Sequence, residues 1–190
     1  MKKTLAALVL LFCSSTSFAA GLDLALSNES ANLALLFNPP GASVNNSQIS
    51  VGALFNDLDD LVFYGSIMAL GPGKYEENYY SLGAGVKLYG GDLDIDQSVG
   101  ALAIGARAGF YILPHPVNPV DVVVEGFFAP GITSASDTEK LWEFAGRLQV
   151  EIVRSARAYV GYRLMKIDTK DFGKVEVDDN IHLGISIDFY

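Results

Sequence analysis

Trp142-Glu143-Phe144-Ala145-Gly146-Arg147-Leu148-Gln149-Val150-Glu151-Ile152 alternates without a break. Trp142, Phe144, Gly146, Leu148, Val150 and Ile152 share one face; Glu143, Ala145, Arg147, Gln149 and Glu151 share the other. Successive side chains of a strand point to opposite sides of the pleat, so period two over this length predicts a long strand, apolar on one side and charged on the other.

The same pattern recurs in both directions. Leu22 to Ser27 and Ala31 to Phe37 alternate, as one bulged strand or a short hairpin. Gln48 to Asn56 sets Ile49, Val51, Ala53 and Phe55 on one face, and Leu61 to Leu70 is apolar on both. Tyr79 to Tyr89, Ser98 to Ile112, Asp121 to Ala129, Arg157 to Lys166 and a last strand through Ile181, Leu183, Ile185, Ile187 and Phe189 complete the series. Turn-forming clusters separate them: Asn38-Pro39-Pro40-Gly41, the acidic Asn56 to Asp60, Gly71-Pro72-Gly73, Gly90-Gly91, Pro114 to Pro119, Arg154-Ser155 and Asp171-Phe172-Gly173. No useful length carries the i, i+3, i+4 helical pattern. The chain reads as all-β in one domain of about ten strands, with eight as the alternative count.

Alternation fits two architectures. A soluble barrel points its apolar rows inward; a membrane barrel points them at lipid and its polar rows at the lumen. Strand length favours the membrane barrel, since about ten tilted residues cross a bilayer core. So do the small residues Gly83, Gly85, Gly105, Ala145, Gly161 and Gly184 among the polar rows, which suit a crowded interior. The chain also ends on an aromatic pair, Phe189-Tyr190, although Tyr190 falls out of phase with the apolar row. Tyr80, Tyr162 and Trp142 are candidates for interfacial girdles. The expected fold is an antiparallel transmembrane up-and-down β-barrel.

The front of the chain agrees. Lys2 and Lys3, the apolar run Leu5 to Phe12 and Ser17-Phe18-Ala19 make a cleavable export signal over residues 1–19, leaving 20–190 as the barrel domain. Cys13 is the sole cysteine and lies in the leader. The mature chain thus offers no disulfide, thiol nucleophile or thiolate metal site. Losing two lysines leaves eleven basic against 22 acidic residues, a net of −11. That is no footprint for nucleic acid. Many acids fall in turns, among them Asp57, Asp59, Asp60, Asp92, Asp94, Asp178 and Asp179, where loose calcium binding is the alternative to simple solvation.

The order Ala101-Leu102-Ala103-Ile104-Gly105, Leu113-Pro114, Glu125-Gly126-Phe127-Phe128-Ala129-Pro130 and Gly161-Tyr162-Arg163 before a final alternating strand resembles the YfaZ family of small outer-membrane proteins. The resemblance covers most of the mature chain and is best between Ala101 and Arg163. It implies an outer-membrane barrel and carries over no catalytic residue.

Phase assigns Lys87, Arg107, Glu125, Glu143, Arg147, Glu151, Arg163 and His182 to the lumen. Mixed charges in a narrow interior pair with one another, because an unpaired buried charge is costly. The expectation is a packed polar lumen in a structural or envelope-interacting barrel that conducts poorly. A limited channel for small solutes and a membrane-embedded lipid hydrolase are the alternatives. For the hydrolase only His115 and His182 could serve as base. His115 sits in a Pro-flanked turn, and Ser186 and Asp188, on the lumen side with His182, are too far along the strand to be its direct partners. No cofactor or metal is expected. The expected partners are outer-membrane lipid, the barrel assembly machinery and small solutes.

Overall fold

The computed structural model describes residues 19–38, 47–71, 80–95, 97–113 and 118–189. The leader up to residue 18, His115, Tyr79 and Tyr190 lie outside the described residues.

Every long element is a strand: β1 (Ala19–Leu26), β2 (Ser30–Asn38), β3 (Ser47–Asn56), β4 (Leu61–Leu70), β5 (Tyr80–Leu93), β6 (Gln97–Leu113), β7 (Val120–Ala129), β8 (Ser134–Ser136), β9 (Thr138–Val153), β10 (Ala156–Thr169) and β11 (Gly173–Phe189). All pairings are antiparallel and run in chain order. β1 pairs with β11, from Ala20 opposite Phe189 to Leu26 opposite Leu183, which joins first strand to last. This is a closed barrel of ten strands, with β8 an addition that pairs only with β6. Leu22 to Phe37 resolves as a hairpin rather than one bulged strand.

The start of β1 and the end of β11 lie at the same rim, here the near end; the turns at 27–29, 57–60, 94–95 and 170–172 mark the far end. The wall is uneven. β1, β2, β3, β4 and β7 have eight to ten residues, whereas β5, β6, β9, β10 and β11 have 14 to 17. At the far end β6 runs beyond β7, and β11 beyond β1. β8 covers the β6 edge left open where β7 stops, pairing Ser136 with Val99 and Ser134 with Ala101.

Gly90-Gly91 is not the turn its composition suggested. β5 runs straight through it to Leu93 and turns at Asp94 and Ile95. Gly91 is there because β4 comes close: a Cβ would lie 2.0 Å from the Leu61 carbonyl oxygen.

Through the near part of the barrel the apolar rows face outward. Leu24, Leu35, Val51, Phe63, Ile67, Leu82, Val86, Ile104, Phe110, Leu148, Val160, Leu183 and Ile185 are all exposed on the exterior. In the far part the rows exchange sides. On β10 the exterior series Val160, Tyr162 and Leu164 is followed by Lys166 and Asp168, while the interior series turns from Arg163 to buried Met165 and Ile167. On β9 the exterior goes from Trp142 to Lys140 as the interior goes from Glu143 to Leu141. β11 makes the same change through a bulge. Val177 is the extra residue between the Met165–Asp178 and Lys166–Glu176 pairs, so Val177 and Asp178, although consecutive, are both buried.

The inward far-end side chains Leu54, Val62, Leu93, Val99, Ala101, Leu141, Met165, Ile167 and Val177 form one cluster, with Tyr89 and Phe127 beneath. An expected lumen that is polar throughout is therefore corrected: its far portion is an apolar plug. Strand-by-strand reading hides this, because alternation continues across the exchange and only the chemistry of the two rows swaps.

Candidate functional site

Beneath the plug lies a charge cluster built around Glu143, 5% exposed. Lys87 Nζ and Tyr89 Oη each donate to Glu143 Oε2 at 2.6 Å. Arg163 bridges two carboxylates, with Nε 3.5 Å from Glu143 Oε1 and Nη1 3.5 Å from Asp178 Oδ2. Asp178 Oδ1 accepts from Ser30 Oγ and Asn180 Nδ2, both at 3.0 Å. The Lys87 ammonium also rests 4.1 Å from the centre of the Tyr64 ring, and Tyr64 Oη donates to Asn32 at 2.9 Å. β4, β5, β9, β10 and β11 each supply a member, so this layer ties opposite walls together. Its charges are desolvated yet matched, the condition under which buried ions are tolerated.

Nearer the termini the interior opens into a cavity of about 90 Å³, lined among others by Asp23, Gln48, Arg107, Glu125, Arg147 and His182. Arg147 Nη1 donates to Asp23 Oδ2 at 3.2 Å, and Tyr159 Oη donates to Asp23 Oδ1 at 2.6 Å. Room for that ring is made by Gly184, where a Cβ would lie 2.1 Å from Tyr159 Cζ. Arg107 Nη1 donates to Gln48 Oε1 at 3.0 Å. Glu125 stands opposite Arg107 in the β6–β7 register, yet among the described residues no cation comes within ion-pair distance of it. His182, 6% exposed, packs edge-on to Tyr159 with ring centres 5.9 Å apart, and its Nδ1 has no hydrogen-bond partner among the described residues. At the near rim Gln149 Nε2 donates to Asp121 Oδ2 at 2.6 Å, and Arg157 pairs with Asp188 at 3.3 Å.

Seven of the eight residues assigned to the lumen by phase (Lys87, Arg107, Glu125, Glu143, Arg147, Arg163 and His182) line this cavity or its roof. Glu151 does not. It has the right phase but sits at the near rim opposite Arg157, its backbone N–H bonded to the Pro119 carbonyl. Phase sets the side of the wall and not the height along the axis.

Several members were missed. Asp23 is a lone acid in an apolar alternating strand, a pattern that flags an inward charge in hindsight. Asp178 was read as a turn acid; the bulge brings it inside, and alternation cannot reveal a bulge. Asp60 is also structural rather than a loose cation ligand: Oδ2 accepts from Asn56 Nδ2 at 2.9 Å and Oδ1 from the Asp94 N–H at 2.9 Å. Among the described residues no group of three or more acids or histidines is placed to hold a metal ion.

No protein-family model and no curated protein matches the chain. Among solved structures it is similar to the outer membrane channel DcaP of Acinetobacter baumannii, at 13% identity and a TM-score of 0.42, over 93% of this chain and 55% of that one. The chain thus spans about half the length of that channel. A likeness this distant does not bear on the lumen residues or on what they do.

Proposed function

We propose that the chain is a small outer-membrane β-barrel, held shut at its outward end, with a structural or envelope-interacting role rather than a transport or catalytic one. One observation carries this reading: the exchange of polar and apolar rows partway along β9, β10 and β11. Exposed Leu, Ile, Val and Phe around the near part suit lipid contact, and the far stretches of β9, β10 and β11, polar outside and apolar inside, suit water. An even strand count puts both ends of the barrel on one side, which in bacterial outer-membrane barrels is the periplasm, and on this reading the far end faces outward. The motifs between Ala101 and Arg163 that resemble the YfaZ family support the same placement. Lipid and the assembly machinery are the partners that such a barrel requires.

The apolar plug and the Glu143 layer favour a closed resting state over the limited-channel alternative. Ions crossing the plug would be stripped of water against a lining that is mainly apolar. Purified protein in planar bilayers is expected to show no steady conductance; a steady open current would overturn the closed reading. The hydrolase alternative has less support. His182 and Ser186 stand opposite Gly161 and Arg157, four residues and roughly 13 Å apart along one strand. Lipid hydrolysis by the wild type that disappears in His182→Ala would reinstate it.

A further inference from the structure

We infer that the cavity between Arg107, Arg147 and Glu125 is a binding site for a small monoanion, of carboxylate size. The inference concerns the interior alone and survives if the proposed location or role is wrong.

Pairing is the first support. Counting the Asp178 that Arg163 also reaches, four cations (Lys87, Arg107, Arg147 and Arg163) face four carboxylates (Asp23, Glu125, Glu143 and Asp178), so the charges balance in number but not in contact. Glu143 is taken by Lys87 and Arg163, and Asp23 by Arg147. Arg107 is left with a neutral partner, the Gln48 amide oxygen. A guanidinium has five donors in a planar fork that matches a carboxylate, and one hydrogen bond leaves most of that fork unused. Arg147 points the same way: its buried Nε has no hydrogen-bond partner among the described residues. Such a donor costs free energy unless something in the cavity accepts from it.

Size is the second support. About 90 Å³ is several times the roughly 10–15 Å³ that admits a single water, so an anion of about four heavy atoms has room, and a sugar acid roughly three times larger is the natural size control. Glu125, lacking an ion-pair partner across from Arg107, competes for the same donors and caps the affinity. That gives the inference a sign a purely structural cluster would not share. Removing the Glu125 charge should tighten binding, although it removes a charge from a lumen where charges ordinarily pair.

The test uses the full mature chain folded in detergent micelles, titrated with ¹³C-labelled acetate at constant ionic strength and read by acetate line broadening. Parallel titrations use gluconate and chloride. Saturable broadening by acetate but not gluconate is expected. Arg107→Met should weaken it about tenfold or more, the loss of a charged hydrogen bond. Glu125→Gln should tighten it about tenfold, from deleting a like charge at a few ångströms. Competition by chloride would mark a site for small monoanions in general; its absence would mark a carboxylate site. No saturable response to acetate or chloride, or an undiminished one in Arg107→Met, would overturn the inference. If the variants do not fold, the wild-type titrations against gluconate decide alone.

Discussion

The near and far parts of this barrel are made from the same strands and obey opposite rules. On β10, Val160, Tyr162 and Leu164 face out while Arg163 faces in; one turn of the pleat later Lys166 and Asp168 face out while Met165 and Ile167 face in. Nothing in the backbone ladder marks the change except the register shift between Met165 and Lys166. A strand's geometry is indifferent to which face is apolar. The surroundings choose, and here two surroundings meet along a single strand. The far segment has an apolar interior like that of a small water-soluble barrel, the near segment an apolar exterior, and the Glu143 layer is the floor between them.

The comparison can be broken most severely at that floor. Glu143→Ala leaves Lys87 and two-faced Arg163 without their shared carboxylate, so a loss of about 3–5 kcal/mol in folding stability is expected. The urea midpoint of micelle-folded protein measures it. A loss under about 1 kcal/mol would mean that the floor is dispensable and the two parts fold as one.

Next are matched substitutions in the two parts. Ile167→Ala and Leu141→Ala empty fully buried positions of the plug and should cost about 2–5 kcal/mol each. The same recordings that test closure are expected to show leak in the double variant first. On the exterior, Leu183→Arg in the near part should cost about 2–4 kcal/mol, as for a charge placed against the bilayer midplane. Lys140→Leu, an apolar residue where the far exterior is polar, should change stability by no more than about 0.5 kcal/mol. Equal costs for Leu183→Arg and Lys140→Leu would erase the distinction between the two exteriors.

The smallest expected effect is at the surface pair of Lys166 and Glu176, in contact on the far exterior. Lys166→Ala should lower stability by at most about 1 kcal/mol. The gap between this pair and the Glu143 pairs measures how much desolvation separates exterior from floor.

Most of the fold was legible because period two is a local property. Trp142 to Ile152 announces a strand, its polar row and its apolar row in eleven consecutive letters. Seven of the eight inward residues follow from phase alone, whereas ten strands and closure also need the even-number rule of membrane barrels. What stayed hidden is non-local. Gly91 looks like a turn residue until the Leu61 carbonyl is known to press on it. Asp178 looks like a loop acid until the bulge at Val177 turns it inward. The plug was hidden for another reason: Leu141 and Ile167 alternate correctly, and only the height of each along the barrel axis tells whether the polar row faces in or out.

The exchange of faces is also what one measurement tests most directly. Residues 20–190 contain no cysteine, so single cysteines can be placed at Val160 through Asp168 of that segment and spin-labelled in bilayers, with oxygen and a water-soluble nickel chelate as relaxants. Oxygen should dominate at 160, 162 and 164, the chelate at 166 and 168, and neither at 165 and 167. Oxygen dominance continuing to 168, or chelate access at 165 and 167, would contradict the two-part barrel.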